Sequence, residues 1–432
     1  MQTHSLPTRD VIALGFMTLA LFLGAGNIIY PPIVGKMTGE YYLISSIGFN
    51  ISGVLLPMLA VIVLAQKKGE PLAVCAPMGK FWGAVLASSF YLFLGVFFAS
   101  PRTATVSYEM GVVNFIGDTP LHLGIYSAVF FAVVWFLGLY PGRLLSTIGY
   151  VLAPLKLLCL LCLAMYSVRS HVAPLVAANG SASLKTFSDG FMNGYLTMDT
   201  LSALTFGMIV INSMKGKGIT EKADIVRYTK SSVLFAGIGL VGIYLCLMKI
   251  GAGFGQTGDF QNGAQILRAF IVENMGMVGT MFMAVLIYLA CTVTAVGLTS
   301  ATATLFSEMS GIRYKVLLPI VVGTSFLIAN IGLTRLIGIS VPALSVICPA
   351  CTTLILLSLL RWPSQAIALP VWVSIAFSAY TAVLKPLGFS VALLDKLPLT
   401  SVSLGWLLPT ALCALLMLAK HKTTSRPLPV TD

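Results

Sequence analysis

Apolar runs long enough to cross a bilayer as helices follow one another along almost the whole 432-residue chain, with only short polar gaps between them. A spanning helix needs about 20 mainly apolar residues, and twelve such runs can be drawn, at roughly 11–35, 42–66, 80–113, 120–140, 142–168, 191–214, 225–250, 276–307, 315–332, 335–360, 364–384 and 402–420. In lipid every backbone N–H and C=O must be paired within its own segment or inside protein, so the expected fold class is an all-α polytopic membrane protein of about twelve transmembrane helices. Composition agrees, at 57% hydrophobic, 9% charged and a mean hydropathy of +0.94. No soluble domain is left over. The first run is too long for a signal-peptide core and has no small-residue cleavage site after it, so it is read as a retained helix.

The net charge of +12 does not point to nucleic acid, because the basic residues sit in the gaps between runs and form no stripe interleaved with exposed aromatics. With the N-terminus inside, most Lys and Arg fall on the cytoplasmic side, and both termini are expected there. The eight cysteines lie in or beside apolar runs. The C-x-x-C pairs Cys159/Cys162 and Cys348/Cys351 have no nearby histidine pair, so they read as small buried hydrophobes.

The first run is interrupted in its middle by Gly24-Ala25-Gly26-Asn27 and by Pro31-Pro32. A helix break at that depth survives only inside protein or beside a polar cavity. Its second half begins with free N–H groups and a partial positive charge, which suit an anionic group. A ligand carboxylate could approach the amides of Ala25, Gly26 and Asn27, and the carbonyls around Ala20 to Leu23 could coordinate a cation. Close helix packing is the competing explanation for Gly24 and Gly26 alone.

Thr103-Ala104-Thr105 followed by Glu109-Met110 recurs as Thr302-Ala303-Thr304 followed by Glu308-Met309. The copies lie at opposite ends of spans that run in opposite directions, the pattern of an inverted repeat. Matching span three with span eight makes 1–170 the first repeat, 186–360 the second, and 361–432 an appended pair of spans with a tail. Span six should then be broken as span one is. Gly194-Tyr195-Leu196-Thr197-Met198-Asp199 supplies the break, with Asp199 near mid-membrane. An acid at that depth is a functional candidate by default. It could neutralise a substrate ammonium, contribute to a cation site or carry a proton, or it could fix the break by bonding Thr197 or Thr200.

Span eight carries six hydroxyl residues from Thr292 to Thr304, and Thr294, at central depth, is the chosen cation ligand. Thr292 has no assigned role. Arg102 is expected to pair with Glu109 or to line an outer vestibule. Lys156 is expected to snorkel from the inner end of span five. The four histidines lie at ends or in loops, Asp199 has no second central carboxylate, and no rings of charge recur, so neither an enzyme nor a channel is expected.

Together, Leu19 to Pro32, Gly194 to Asp199, Pro101-Arg102-Thr103-Ala104-Thr105 and Thr294-Ala295-Val296-Gly297-Leu298 resemble the bacterial branched-chain amino acid:cation symporters, and the resemblance runs over essentially the whole chain. It implies the five-plus-five inverted-repeat fold of the amino acid, polyamine and organocation superfamily, leucine-transporter-like with helices one and six broken. It further implies sodium-driven uptake of leucine, isoleucine and valine across the bacterial inner membrane, with proton coupling or exchange as the alternative and no cofactor or obligate protein partner. Carried over, Gly24, Ala25, Gly26 and Asn27 would take the α-carboxylate and Thr197, Met198 and Asp199 the α-amino group. Sodium would lie between Thr294 and the carbonyls of Ala20 and Leu23. Phe93, Phe97, Leu204 and Phe206 are the expected dry wall for a branched side chain. Tyr30 departs from the family's usual phenylalanine, beyond the break.

Overall fold

The computed structural model describes residues 6–139, 184–388, 391, 394, 397 and 399–424. Span five, expected at 142–168 with Lys156 and the Cys159/Cys162 pair, lies outside them. Among the described residues all regular structure is helical. Seven helices are long and apolar enough to cross a membrane, and an eighth forms if Leu184–Tyr195 and Asp199–Gly216, bent by 42°, count as one span.

The difference from twelve has local causes. Two expected spans share the run Ala25–Gln66, which turns at Gly39, where φ is +51°. Thr8–Phe22 is the short first half of span one, and Tyr314–Ala329 and Leu407–His421 are apolar but short. Gly263–Ser310 is one long helix in which Gly276 adopts φ 61° and ψ −159°, so a bend precedes the expected span eight. A residue with a Cβ would be strained there.

Two groups of helices can be distinguished. In one, span seven (Lys222–Gly253) lies along both halves of span one, and span two (Tyr42–Gln66) lies along both halves of span six. Backbones approach closely through glycine. A Cβ at Gly251 would run into the backbone of Pro32, and one at Gly190 into the carbonyl of Ser45. Small residues allow such approach in lipid, where dispersion and interhelical hydrogen bonds drive association. Thr18 and Ser232 share a 2.5 Å hydroxyl contact between spans one and seven, and Ser52 donates to the Phe191 carbonyl at 2.6 Å between spans two and six.

In the other group span three (Lys80–Gly111) packs on span eight, with spans four (Pro120–Gly138) and nine (Tyr314–Ala329) beside them. Thr302, from the second copy of the repeated motif, donates to the Tyr91 carbonyl at 3.1 Å, and Ser325 of span nine donates to Gly95 at 2.8 Å. The Gly190→Val variant is expected to lower the melting temperature of detergent-solubilised protein by about 5 °C or more, since a backbone oxygen cannot move aside. Gly242→Val, where a Cβ meets nothing within 4 Å, is expected to change it little. Equal shifts in a thermal-denaturation assay would discard this account of the packing.

Candidate functional site

Both interruptions are real departures from helix. In span one Leu23 turns to φ −73°, ψ 68° and Gly24 is extended. The Gly24 N–H donates to Asn27 Oδ1 at 3.0 Å, so Asn27, third residue of the second half-helix Ala25–Thr38, reaches back to cap its start. In span six Met198 takes a left-handed conformation, φ 66°, and Asp199 opens the second half-helix. Thr197 Oγ1 donates to the Gly194 carbonyl at 2.8 Å and closes the end of the first half.

The breaks face each other. Asn27 Nδ2 donates to Asp199 Oδ2 and to the Tyr244 hydroxyl, a network that joins spans one, six and seven. Asp199 is buried, and among the described residues no lysine or arginine forms an ion pair with it. Its carboxylate is therefore hydrogen-bonded but not neutralised by contact, and a cationic group brought beside it would be strongly favoured.

Arg102, on span three, is the other buried charge among the described residues. It does not pair with Glu109. Its Nη1 donates to the Leu196 carbonyl at 2.6 Å and to the Tyr30 hydroxyl at 3.2 Å, and its Nη2 donates to the Thr197 carbonyl at 3.0 Å. The guanidinium carbon lies 5.3 Å from the Tyr30 ring centroid. Arg102 thereby satisfies carbonyls that the break in span six leaves without helical partners, and the Tyr30 hydroxyl, placed beyond the break from sequence, belongs to that tether. Glu109 instead accepts from Asn262 Nδ2 at 3.0 Å, beside a separate cavity of about 230 Å³ that includes Asp118, Thr334 and Arg335.

A small cavity lies between the breaks. Its free space is about 20 Å³, room for roughly one water molecule. Gly24, Ala25, Gly26, Asn27, Thr197, Asp199 and Thr294 all line it, as do Arg102 and the aromatic pair Phe22 and Phe206, whose rings meet edge to face at 5.5 Å. Thr294 Oγ1 donates back to the Ala290 carbonyl at 3.1 Å, and a Cβ on Gly24 would lie 3.7 Å from its methyl carbon. Span eight thus meets the break of span one at Thr294. Leu23 is buried and Ala20 partly so, next to the break but not on the cavity wall.

Three of the four expected wall residues, Phe93, Phe97 and Leu204, do not line the cavity, and neither does Met198, expected at the ammonium. Asp199, Ser202 and Phe206 recur at helical spacing on the cavity face of span six, whereas Leu204, five positions after Asp199, is about 140° round the helix and packs in the core. Met198 is the bend and does not line the cavity. Phe97 ends a π-helical turn, Phe93–Phe97, after which Phe98 is non-helical at φ −129°. The extra residue of such a turn rotates the following helix. Ala99 and Arg102 face the cavity, and Phe97 is 38% exposed in a cluster with Phe93 and Phe98.

Tyr244 and Phe22 carry no local signal in the sequence. Arg102 does carry one, since a charge within an apolar run is costly unless it is engaged. On span ten (Leu333–Leu359), Cys348 and Cys351 are buried thiols whose sulfurs lie 3.9 Å from the Tyr195 carbonyl and 4.0 Å from that of Thr200, on either side of the break in span six.

Comparison with known proteins identifies the family and the fold. The chain is 43% identical to the branched-chain amino acid permease BrnQ of Escherichia coli K12, covering 98% of each chain. It is 44% identical to the branched-chain amino acid transport system 3 carrier protein of Pseudomonas aeruginosa, covering 94% of this chain and 95% of that one. Its fold is similar to that of a manganese transporter from Eremococcus coleocola, with a TM-score of 0.58 over 98% of this chain and 97% of the other at 13% identity. That likeness places the backbone among leucine-transporter-like folds. Residues 7–424 match the profile of the branched-chain amino acid transport proteins, and the chain belongs to that family of multi-pass membrane transporters.

Proposed function

We propose that this protein imports leucine, isoleucine and valine across the bacterial inner membrane by symport with sodium, with both termini cytoplasmic. The observation that carries the reading is the buried Asp199 carboxylate, with no basic side chain paired to it among the described residues, facing the amide-bearing start of the second half of span one across one cavity. A zwitterion matches both ends: its ammonium beside Asp199, its carboxylate on the amides of Ala25, Gly26 and Asn27. The names of the permease and carrier relatives support the branched aliphatic side chain, and Phe22 and Phe206 offer it an apolar wall.

Sodium is cargo in this scheme. Thr294 and the carbonyls of Ala20 and Leu23 supply hard oxygen ligands where span eight meets the break. Alternating access rocks the group of spans one, two, six and seven against spans three, four, eight and nine around the central site.

Uptake of labelled leucine into proteoliposomes under imposed sodium, potassium or proton gradients tests the scheme, and uptake indifferent to sodium would defeat the coupling. Proton coupling through Asp199 is the second reading, favoured by the absence, among the described residues, of an ion pair at that carboxylate, and uptake that follows a pH gradient alone would establish it. Because linkage is reciprocal, sodium and leucine are expected to raise each other's affinity by the same factor. In Thr294→Ala, sodium affinity is expected to fall about tenfold, the loss of one oxygen ligand, with leucine affinity at saturating sodium little changed. A fall in leucine affinity with sodium affinity intact would remove Thr294 from the cation site.

A further inference from the structure

A guanidinium has five N–H donors in a fixed planar fork. In Arg102 the Nη1 group serves Tyr30 and Leu196, and one hydrogen of Nη2 serves Thr197. Two donors remain, the Nε–H and the second Nη2 hydrogen, and by the geometry of the group they are parallel and share one edge. Nε is buried and without a hydrogen-bond partner, although Arg102 is only 3% exposed. Leaving a buried charged donor unused is costly. The structure tolerates that at a residue on the cavity wall, beside Asp199 and the break of span one.

That edge is the one that takes a carboxylate in bidentate fashion. Position 26 has no side chain to cover it, for a Cβ on Gly26 would lie 2.5 Å from Arg102 Nη2. The other edge is anchored on two successive carbonyls, so the fork is held rigid before any ligand arrives, which lowers the cost of binding.

We propose that Arg102 is a substrate ligand, its Nε–H and Nη2–H edge holding the α-carboxylate of the transported amino acid. This rests on the reading that the substrate is an α-amino acid. The carboxylate then meets two kinds of donor, the half-helix amides and a fixed positive charge. Asp199 and Arg102 on one cavity give a site whose own charges balance, matched to a zwitterion and poorly matched to an amine or an acid alone.

The test compares ligands on the purified full-length chain in lipid nanodiscs: L-leucine, 3-methylbutylamine, which lacks the carboxylate, and 4-methylpentanoate, which lacks the amine. Wild type is expected to prefer leucine over the amine by about a hundredfold or more. In Arg102→Gln, leucine binding is expected to weaken about a hundredfold while amine binding changes little, so the preference collapses. Arg102→Lys keeps a cation and a carbonyl donor but offers no bidentate edge, and is expected to lose about tenfold of the preference; it carries the test if Arg102→Gln does not fold. A purely structural Arg102 would weaken both ligands together, and an unchanged leucine-to-amine ratio in either variant overturns the proposal, as does a wild type that binds the amine as tightly as leucine. Wild type that binds no leucine sinks the substrate reading itself, whereas leucine binding with unchanged ratios sinks only the role of Arg102.

Discussion

In the Asp199→Asn variant, leucine affinity is expected to fall by about 30- to 1,000-fold, equivalent to roughly 2–4 kcal/mol, while the protein stays folded. The amide keeps the size of the carboxylate and can turn its oxygen toward Asn27 and Tyr244, so the links among spans one, six and seven survive. Only the charge is lost. Binding to purified protein at saturating sodium measures the effect, and thermal denaturation reports on the fold. Wild-type affinity in the variant would mean that Asp199 fixes the break and does no more.

Gly24 and Gly26 are separated only by Ala25, yet their alanine variants are expected to differ sharply. In Gly26→Ala the new methyl lies 2.5 Å from Arg102 Nη2 and 3.0 Å from the Thr197 carbonyl oxygen. Arg102 cannot yield freely, being bonded to two carbonyls and to Tyr30, and a backbone oxygen yields less. The breaks should be forced apart, with uptake expected to fall about a hundredfold, in line with overpacking costs of roughly 1–3 kcal/mol together with lost hydrogen bonds. In Gly24→Ala the methyl meets Asn27 Oδ1 at 3.4 Å and the Thr294 methyl carbon at 3.7 Å, ordinary contacts. Uptake there is expected within about threefold of wild type, since surrounding atoms need hardly move. Similar losses in both variants, measured as initial rates of leucine uptake at matched expression, would rule out close approach to Arg102 as the constraint on Gly26.

The membrane class, the break at Gly24 to Asn27 and its counterpart at Thr197 to Asp199 were legible from the chain because each is a local violation of what lipid permits. The repeat then turned one oddity into a pair. Residues whose role depends on phase or on distant packing were not legible. Phe97 lies off the cavity because the π-helical turn at Phe93–Phe97 shifts the helix face by one residue, and no local pattern announces such a turn. Leu204 needed its angular distance from Asp199 to be counted. Arg102 sits 94 positions from Leu196, and only the crossing of spans three and six brings its guanidinium to that carbonyl. Tyr30 and Tyr244 enter for the same reason: their hydroxyls matter because of what packs opposite them.

The central cavity, at about 20 Å³, is far smaller than a leucine molecule, and this has a thermodynamic corollary for selectivity. If leucine is carried at this site it enters a wider arrangement, and where that arrangement is the minority in the free protein, measured affinity equals intrinsic affinity scaled by the minority fraction. If the fraction were about one in a hundred, observed binding would be about a hundredfold weaker than the contacts alone allow. Variants remote from the ligand could then tighten binding simply by loosening the resting state. In the proposed cycle the same narrow state would limit leakage of larger solutes: with no passenger aboard, a site only one water wide holds no molecule the size of an amino acid.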